Sequence, residues 1–162
     1  MSRVPFATLL TGLVLAACQP GGSQLTTRHR DALADSIRTF LNEFVETVNR
    51  GDVSAVIPYT AADDGFNWAE DGRLRYPSHA SLVTVFDSLA QAIRTVNLVM
   101  DQPKVVPLRH GLVALTATFR QSITDTSGLM VRYAGVLTAV IEHREDGWKF
   151  LLGHASTNPD VQ

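Results

Sequence analysis

Cysteine is nearly missing: Cys18 is the only one in 162 residues. A lone thiol closes no intrachain disulfide, so the fold has to rest on packing alone. Charge of one sign is lacking too. Fourteen Lys and Arg stand against sixteen Asp and Glu, a formal net charge of −2. That balance argues against a wholesale basic surface for nucleic acid and against a polyacidic solvating chain. No apolar run approaches the ~20 residues of a spanning helix. His29, His79, His110, His143 and His154 include no pair at ligand spacing on one helix face, so no metal is expected. There is no GxGxxG, P-loop or GxSxG motif, and no cofactor is expected. The aromatic-plus-basic surface of a single-strand nucleic-acid binder is missing as well. What remains is a chain of one-domain length, 45% hydrophobic, large enough to bury a single core.

The first segment reads as an address. Arg3 is followed by the apolar stretch Val4 to Ala17, ending in small residues, which is the secretory signal pattern. Leu15-Ala16-Ala17-Cys18, with Gln19-Pro20-Gly21-Gly22-Ser23 after it, resembles the lipobox of bacterial lipoproteins. The alternative for a lone cysteine is a buried structural thiol, a poor fit beside Pro-Gly-Gly. The resemblance implies cleavage before Cys18, acylation of its thiol and anchoring to a membrane, since acyl chains at ~0.8 kcal/mol per buried methylene hold firmly. Gln19, not aspartate, implies the outer membrane, facing the periplasm. The expected organisation is a signal peptide over 1–17, lipidated Cys18 and a tether over 18–29, and one domain over 30–158.

Within that domain the apolar period starts helical. Leu33, Ile37, Phe40, Leu41, Phe44, Val45 and Val48 recur at steps of three and four, an amphipathic helix of about six turns. Asn49-Arg50-Gly51 stops it, Asp52 caps a short second helix through Ile57, and Pro58 ends that. Asp63-Asp64-Gly65 is a turn, and a hairpin is expected around Glu70-Asp71-Gly72. Ser78 opens a third helix carrying Leu82, Val85, Phe86, Leu89, Ile93 and Val96. The period then changes to two. Four strands are expected over 97–108, 112–124, 130–144 and 148–156, with Pro103 and Pro107 suiting an edge or a bulge in the first. Helices first and a meander last imply α+β, three N-terminal helices packed on a curved antiparallel sheet. The strand from Met130 is apolar on both faces, through Leu137, Ala139 and Ile141 and again through Ala134, Val136 and Val140, so a sheet-to-sheet homodimer is expected to cover the second.

The run Phe44-Val45-Glu46-Thr47-Val48-Asn49-Arg50-Gly51-Asp52, then Ala62-Asp63-Asp64-Gly65 and the closing Asp146-Gly147-Trp148-Lys149-Phe150 with His154-Ala155-Ser156, resembles the SnoaL-like domains of the nuclear transport factor 2-like superfamily. The resemblance implies a cone-shaped α+β fold around a pocket, often dimeric, in enzymes and non-enzymes alike, so it does not by itself fix an activity. Ketosteroid isomerases of that superfamily place a tyrosine on the first helix and a carboxylate base after the Asp-Asp turn. Those positions fall here on Phe44 and near Trp68-Ala69, with Glu70 adjacent. Phenylalanine donates no hydrogen bond to an oxyanion, and that isomerase activity is rejected.

Strict alternation along the last strand puts His154 on the face of Trp148, Phe150 and Leu152, where a histidine serves either as a general base or as a hydrogen-bonded core residue. Trp68, Tyr76, Phe44 and Tyr133 are the candidate ligand-pocket residues, with core packing the alternative role. Arg120 and Arg132 are read as solvated or dimer-facing. The leading expectation is a lipid-anchored envelope protein that binds a small, largely apolar molecule. The alternatives are a SnoaL-like isomerase, dehydratase or hydrolase with His154 as base, and a non-catalytic dimeric interaction module.

Overall fold

The computed structural model describes residues 25–158; the expected signal peptide, Cys18 and most of the tether lie outside them. Leu25 is already buried, and Thr26 caps the first helix, α1 (Thr27–Asn49), through its hydroxyl and the His29 backbone N–H at 3.3 Å. The helix therefore takes in the last three residues of the expected tether. Its apolar stripe puts Ile37, Phe40, Leu41 and Val48 in the core. Asn49, at its end, clamps an edge strand with its amide. The side chain donates to the Leu98 carbonyl at 3.0 Å and accepts from the Leu98 N–H at 2.6 Å. Gly51, at φ +84°, reverses the chain, and the Asp52 carboxylate caps a 3₁₀ helix (Val53–Tyr59) by accepting from the backbone of Ser54 and Ala55.

Strands β1 (Asn67–Glu70) and β2 (Arg73–Tyr76) form the expected hairpin. Helix α2 (His79–Ala92) opens on a reciprocal capping box between Ser78 and Ser81. It ends earlier than its apolar stripe, because Ile93 already begins a strand. Strands β3 (Ile93–Arg109), β4 (Leu112–Asp125), β5 (Met130–Arg144) and β6 (Gly147–Thr157) follow as a meander. The six strands make one sheet in the order β2-β1-β6-β5-β4-β3.

Two features depart from the sequence reading. The sheet is mixed and not antiparallel throughout, since the β1–β2 hairpin adds to the free edge of β6 with β1 parallel to it. The edge strand β3 does break register between Asp101 and Lys104 and between Pro107 and Arg109; a proline without an N–H is tolerated where an outer edge asks for none.

The second departure moves a site residue. Val140 pairs with Leu152 but Ile141 with Phe150, so Leu151 is an extra residue in β6. A one-residue bulge exchanges the faces of everything beyond it. Trp148 and Phe150 keep to the inner face, which the helices cover. Leu152, His154 and Ser156 turn to the outer face, and Gly153 and Ala155 turn inward. The expectation that His154 shares the face of Trp148 and Phe150 is corrected on this ground, and His154 is exposed.

The main core lies between α1 and the inner face of β4, β5 and β6. It gathers Ile37, Phe40 and Leu41 with Val113, Leu115, Leu137, Ala139, Ile141 and Phe150. Val48, Val53, Val56, Val96 and Leu98 form a second cluster, and Phe66, Tyr76 and Leu82 a third beneath α2. Among the described residues no helix covers the outer face. Val106, Ala114, Val140 and Leu152 stand in one cross-strand row there, with Lys104, Thr116, Thr138 and His154 in the next.

Candidate functional site

The interior where a pocket was expected is filled by aromatic rings. Phe40 and Phe44, one turn apart on α1, meet Phe150 at centroid distances of 5.2 and 5.1 Å. Tyr59 packs against both at 5.7 and 5.5 Å. Trp68 stands edge-on to Phe150 at 6.0 Å, with its ring over Gly153. A β-carbon built on Gly153 falls 2.3 Å from that ring, so only glycine admits Trp68 there. The Tyr59 hydroxyl is taken by Thr47 at 3.0 Å. At the isomerase donor position, then, Phe44 is part of an aromatic floor with no hydroxyl turned toward a substrate.

Of the expected pocket residues, Trp68 and Phe44 converge on Phe150. Tyr76 is the register partner of Trp68 but points into the cluster under α2, with Phe86 at 5.8 Å. Burial, and after it the charge of Glu70, holds its phenol above the ordinary tyrosine range. Tyr133 is not brought to them. It stands exposed on β5 toward Leu129, Met130 and Val131, which are exposed as well. On the outer face, His154 stands near enough to Asp71 for its charge to help lower that carboxyl. The larger causes are the Thr157 backbone N–H at 2.7 Å and hydroxyl at 2.9 Å, both donating to Asp71.

Glu70 is a half-buried carboxylate on the inner face, its side chain 41% exposed. The parallel register sets Trp68 against Gly153, Ala69 against His154 and Glu70 against Ala155, so Trp68 and Glu70 share the inner face. Burial raises the Glu70 carboxyl above its ordinary range. Arg75, 3.9 Å away, and the Trp68 side chain, which hydrogen-bonds to it, pull in the opposite direction. Sequence reasoning passed over Glu70 in favour of His154. The signal was present in the i, i+2 spacing from Trp68, but which face that spacing addresses depends on the pairing of β1 with β6.

The open space is elsewhere. A groove of about 580 Å³ runs between α1, the end of the 3₁₀ helix and the β5–β6 turn. Ser36, Thr39, Phe40 and Glu43 line one side at helical spacing; Tyr59 and Trp148 supply further aromatic wall. Lys149 closes the floor. It is 8% exposed, and its ammonium donates to the Pro58 carbonyl at 2.6 Å and to Asp146 at 2.9 Å. That ammonium holds the Asp146 carboxyl below the ordinary range. The volume lies within the range of small-ligand sites. Among the described residues no group of three or more His, Cys, Asp or Glu side chains is placed to hold a metal ion.

A family model described as a SnoaL-like domain matches residues 37–160. No curated protein matches the chain by sequence. Solved structures share its fold at low identity. A nuclear transport factor 2-like superfamily protein from Salmonella enterica superposes with a TM-score of 0.67 at 9% identity, covering 82% of this chain and 95% of that one. A conserved protein from Planctomyces limnophilus gives 0.63 at 16%, covering 80% and 99%. A hexachlorocyclohexane dehydrochlorinase of type 2 gives 0.63 at 13%, covering 78% and 86%.

Proposed function

The chain belongs to the SnoaL-like domain family of the nuclear transport factor 2-like superfamily, and from that premise we propose that it is a lipid-anchored envelope protein whose domain binds a small, largely apolar molecule without transforming it. One observation carries the reading. The position that hosts catalysis in isomerase relatives is an aromatic floor, Phe40, Phe44, Tyr59, Trp68 and Phe150, while an open groove with aromatic walls lies on the flank. The same proposal has Cys18 acylated, the domain held at the outer membrane on the periplasmic side, and two copies joined through the outer face of the sheet. Val106, Val136 and Leu152, 45%, 45% and 39% exposed, supply the apolar patch for that contact.

Native mass spectrometry of residues 23–162 tests the ligand and the dimer. A dimer carrying a discrete extra mass is the expected result, and Leu152→Glu should give monomers that keep the mass. Monomeric wild-type protein with nothing bound would sink both parts.

A second reading, acid–base catalysis, is favoured by Glu70 and no longer needs His154. A carboxyl on the inner face, raised by burial, is a candidate general acid or base. In that case Glu70→Gln abolishes turnover of whatever compound co-purifies, with its binding intact. The sign of the accompanying stability effect is fixed. A carboxyl raised in the folded state favours folding in its neutral form, and that contribution is lost as pH rises through the folded value. Glu70→Gln is therefore expected to leave stability at pH 7 unchanged or higher, read as a urea midpoint. A loss of stability at pH 7 would assign Glu70 a structural role instead.

A further inference from the structure

We propose that the flank groove selects ligands bearing an ammonium or similar cationic hydrogen-bond donor on an apolar body; this rests on the groove being the ligand site. The Ser36 hydroxyl donates back to the Ala32 carbonyl at 3.0 Å, and the Thr39 hydroxyl to the Asp35 carbonyl at 3.3 Å. Each has spent its single proton on its own helix, and what it offers the groove is lone pairs. Glu43 adds a carboxylate, and among the described residues no cation stands within 4.0 Å of it. Asp146 adds a second carboxylate, already neutralised by Lys149.

Lys149 is the single cationic donor in the lining, and two of its three ammonium protons go to Asp146 and the Pro58 carbonyl. Beside the third ammonium proton of Lys149, the Tyr59 hydroxyl shared with Thr47 and the Trp148 indole, the polar side chains of the lining offer acceptors. Glu43 leaves a net charge of −1 over the lining once Lys149 and Asp146 cancel.

An anionic ligand meets unpaired acceptors and a like charge, both of which cost binding energy. A cation meets Glu43, two hydroxyl oxygens and the rings of Tyr59 and Trp148, whose faces attract positive charge. The apolar part of such a ligand has Phe40 and the same rings to cover. The lining combines aromatic wall with the acceptors of α1. It matches an aryl- or alkylamine better than a carboxylic acid of equal size.

Three probes of similar size separate the possibilities: phenethylamine, phenethyl alcohol and phenylacetate, each titrated against the full chain by following the Trp148 indole N–H resonance. The amine is expected to bind about threefold to tenfold tighter than the alcohol, and the acid weakest of the three. Glu43→Gln should bring the amine down to the alcohol. Glu46→Gln, an exposed carboxylate on the same helix outside the groove lining, should leave the order unchanged. If the amine and the alcohol shift Trp148 equally, the groove stands as a site and the cationic preference is wrong. If no probe shifts Trp148, the groove is not the ligand site and the binding reading falls with it.

Discussion

Phe150→Ala is expected to cost about 3 to 5 kcal/mol of folding stability, the usual range for a fully buried aromatic truncated in a core. Phe150 is 2% exposed and receives Phe40, Phe44 and Trp68 on three sides, at 5.2, 5.1 and 6.0 Å. Tilted and edge-to-face pairs of this kind contribute about 0.5 to 1.5 kcal/mol each beyond area burial. The neighbours cannot collapse into the gap without leaving α1 or β1, so the hole persists. The lost stability is a large share of the roughly 5 to 15 kcal/mol that a domain has. In a thermal melt of a chain this size it corresponds to a drop of about 10 to 20 °C. A loss under about 1 kcal/mol would mean that the aromatic floor is loose enough to close, and with it that the interior could open to a ligand.

Gly135→Ala is expected to cost at least about 3 kcal/mol, at the upper end of overpacking effects. Gly135 lies in β5 opposite Thr157 of β6, and the two strands pinch together there. A β-carbon on Gly135 falls 2.0 Å from the Ser156 carbonyl oxygen and 2.9 Å from its carbonyl carbon. Both are backbone atoms, so no rotamer change relieves the clash; β6 has to move away from β5. That movement would also strain the contacts at the end of β6, where the Asp71 carboxylate holds the Thr157 amide and hydroxyl. Hydrogen exchange should show the Thr157 and Asn158 amides losing protection first, with the β3–β4 pairing unaffected. A variant as stable as the wild type, with unchanged protection in β6, would show that the pinch is not required by the fold.

Several parts of the candidate site could be read from sequence because they depend on neighbours along the chain. The α1 stripe names Phe40 and Phe44 from spacing alone, and Asp52 and Ser78 announce helix starts by the chemistry of their side chains. Pro103 and Pro107 suit an edge or a bulge because each lacks an N–H to give a partner, and β3 is an edge strand with register shifts beside both. The doubly apolar pattern of β5 is legible in the same way, from alternation along a single strand. Helix-first, meander-last order was enough for α+β.

Other parts were decided only by pairing at long range. Nothing in Phe150-Leu151-Leu152-Gly153-His154 marks Leu151 as a bulge. The extra residue exists because β5 and β6 have to remain in register on both sides of a bend. That single residue turned His154 outward and Gly153 inward, where Trp68 fills the space a side chain would have taken. Likewise the four residues of β1 carry no sign that they join β6 in parallel, and so the inward aim of Glu70 became visible only in the folded chain. The flank groove joins residues from positions 36 to 149. Local sequence thus determined which elements form and which face of each is apolar, because those follow from side chains a few positions apart. The tertiary structure decided which side chains meet, because strand register and a one-residue bulge are set by partners that sequence distance does not reveal.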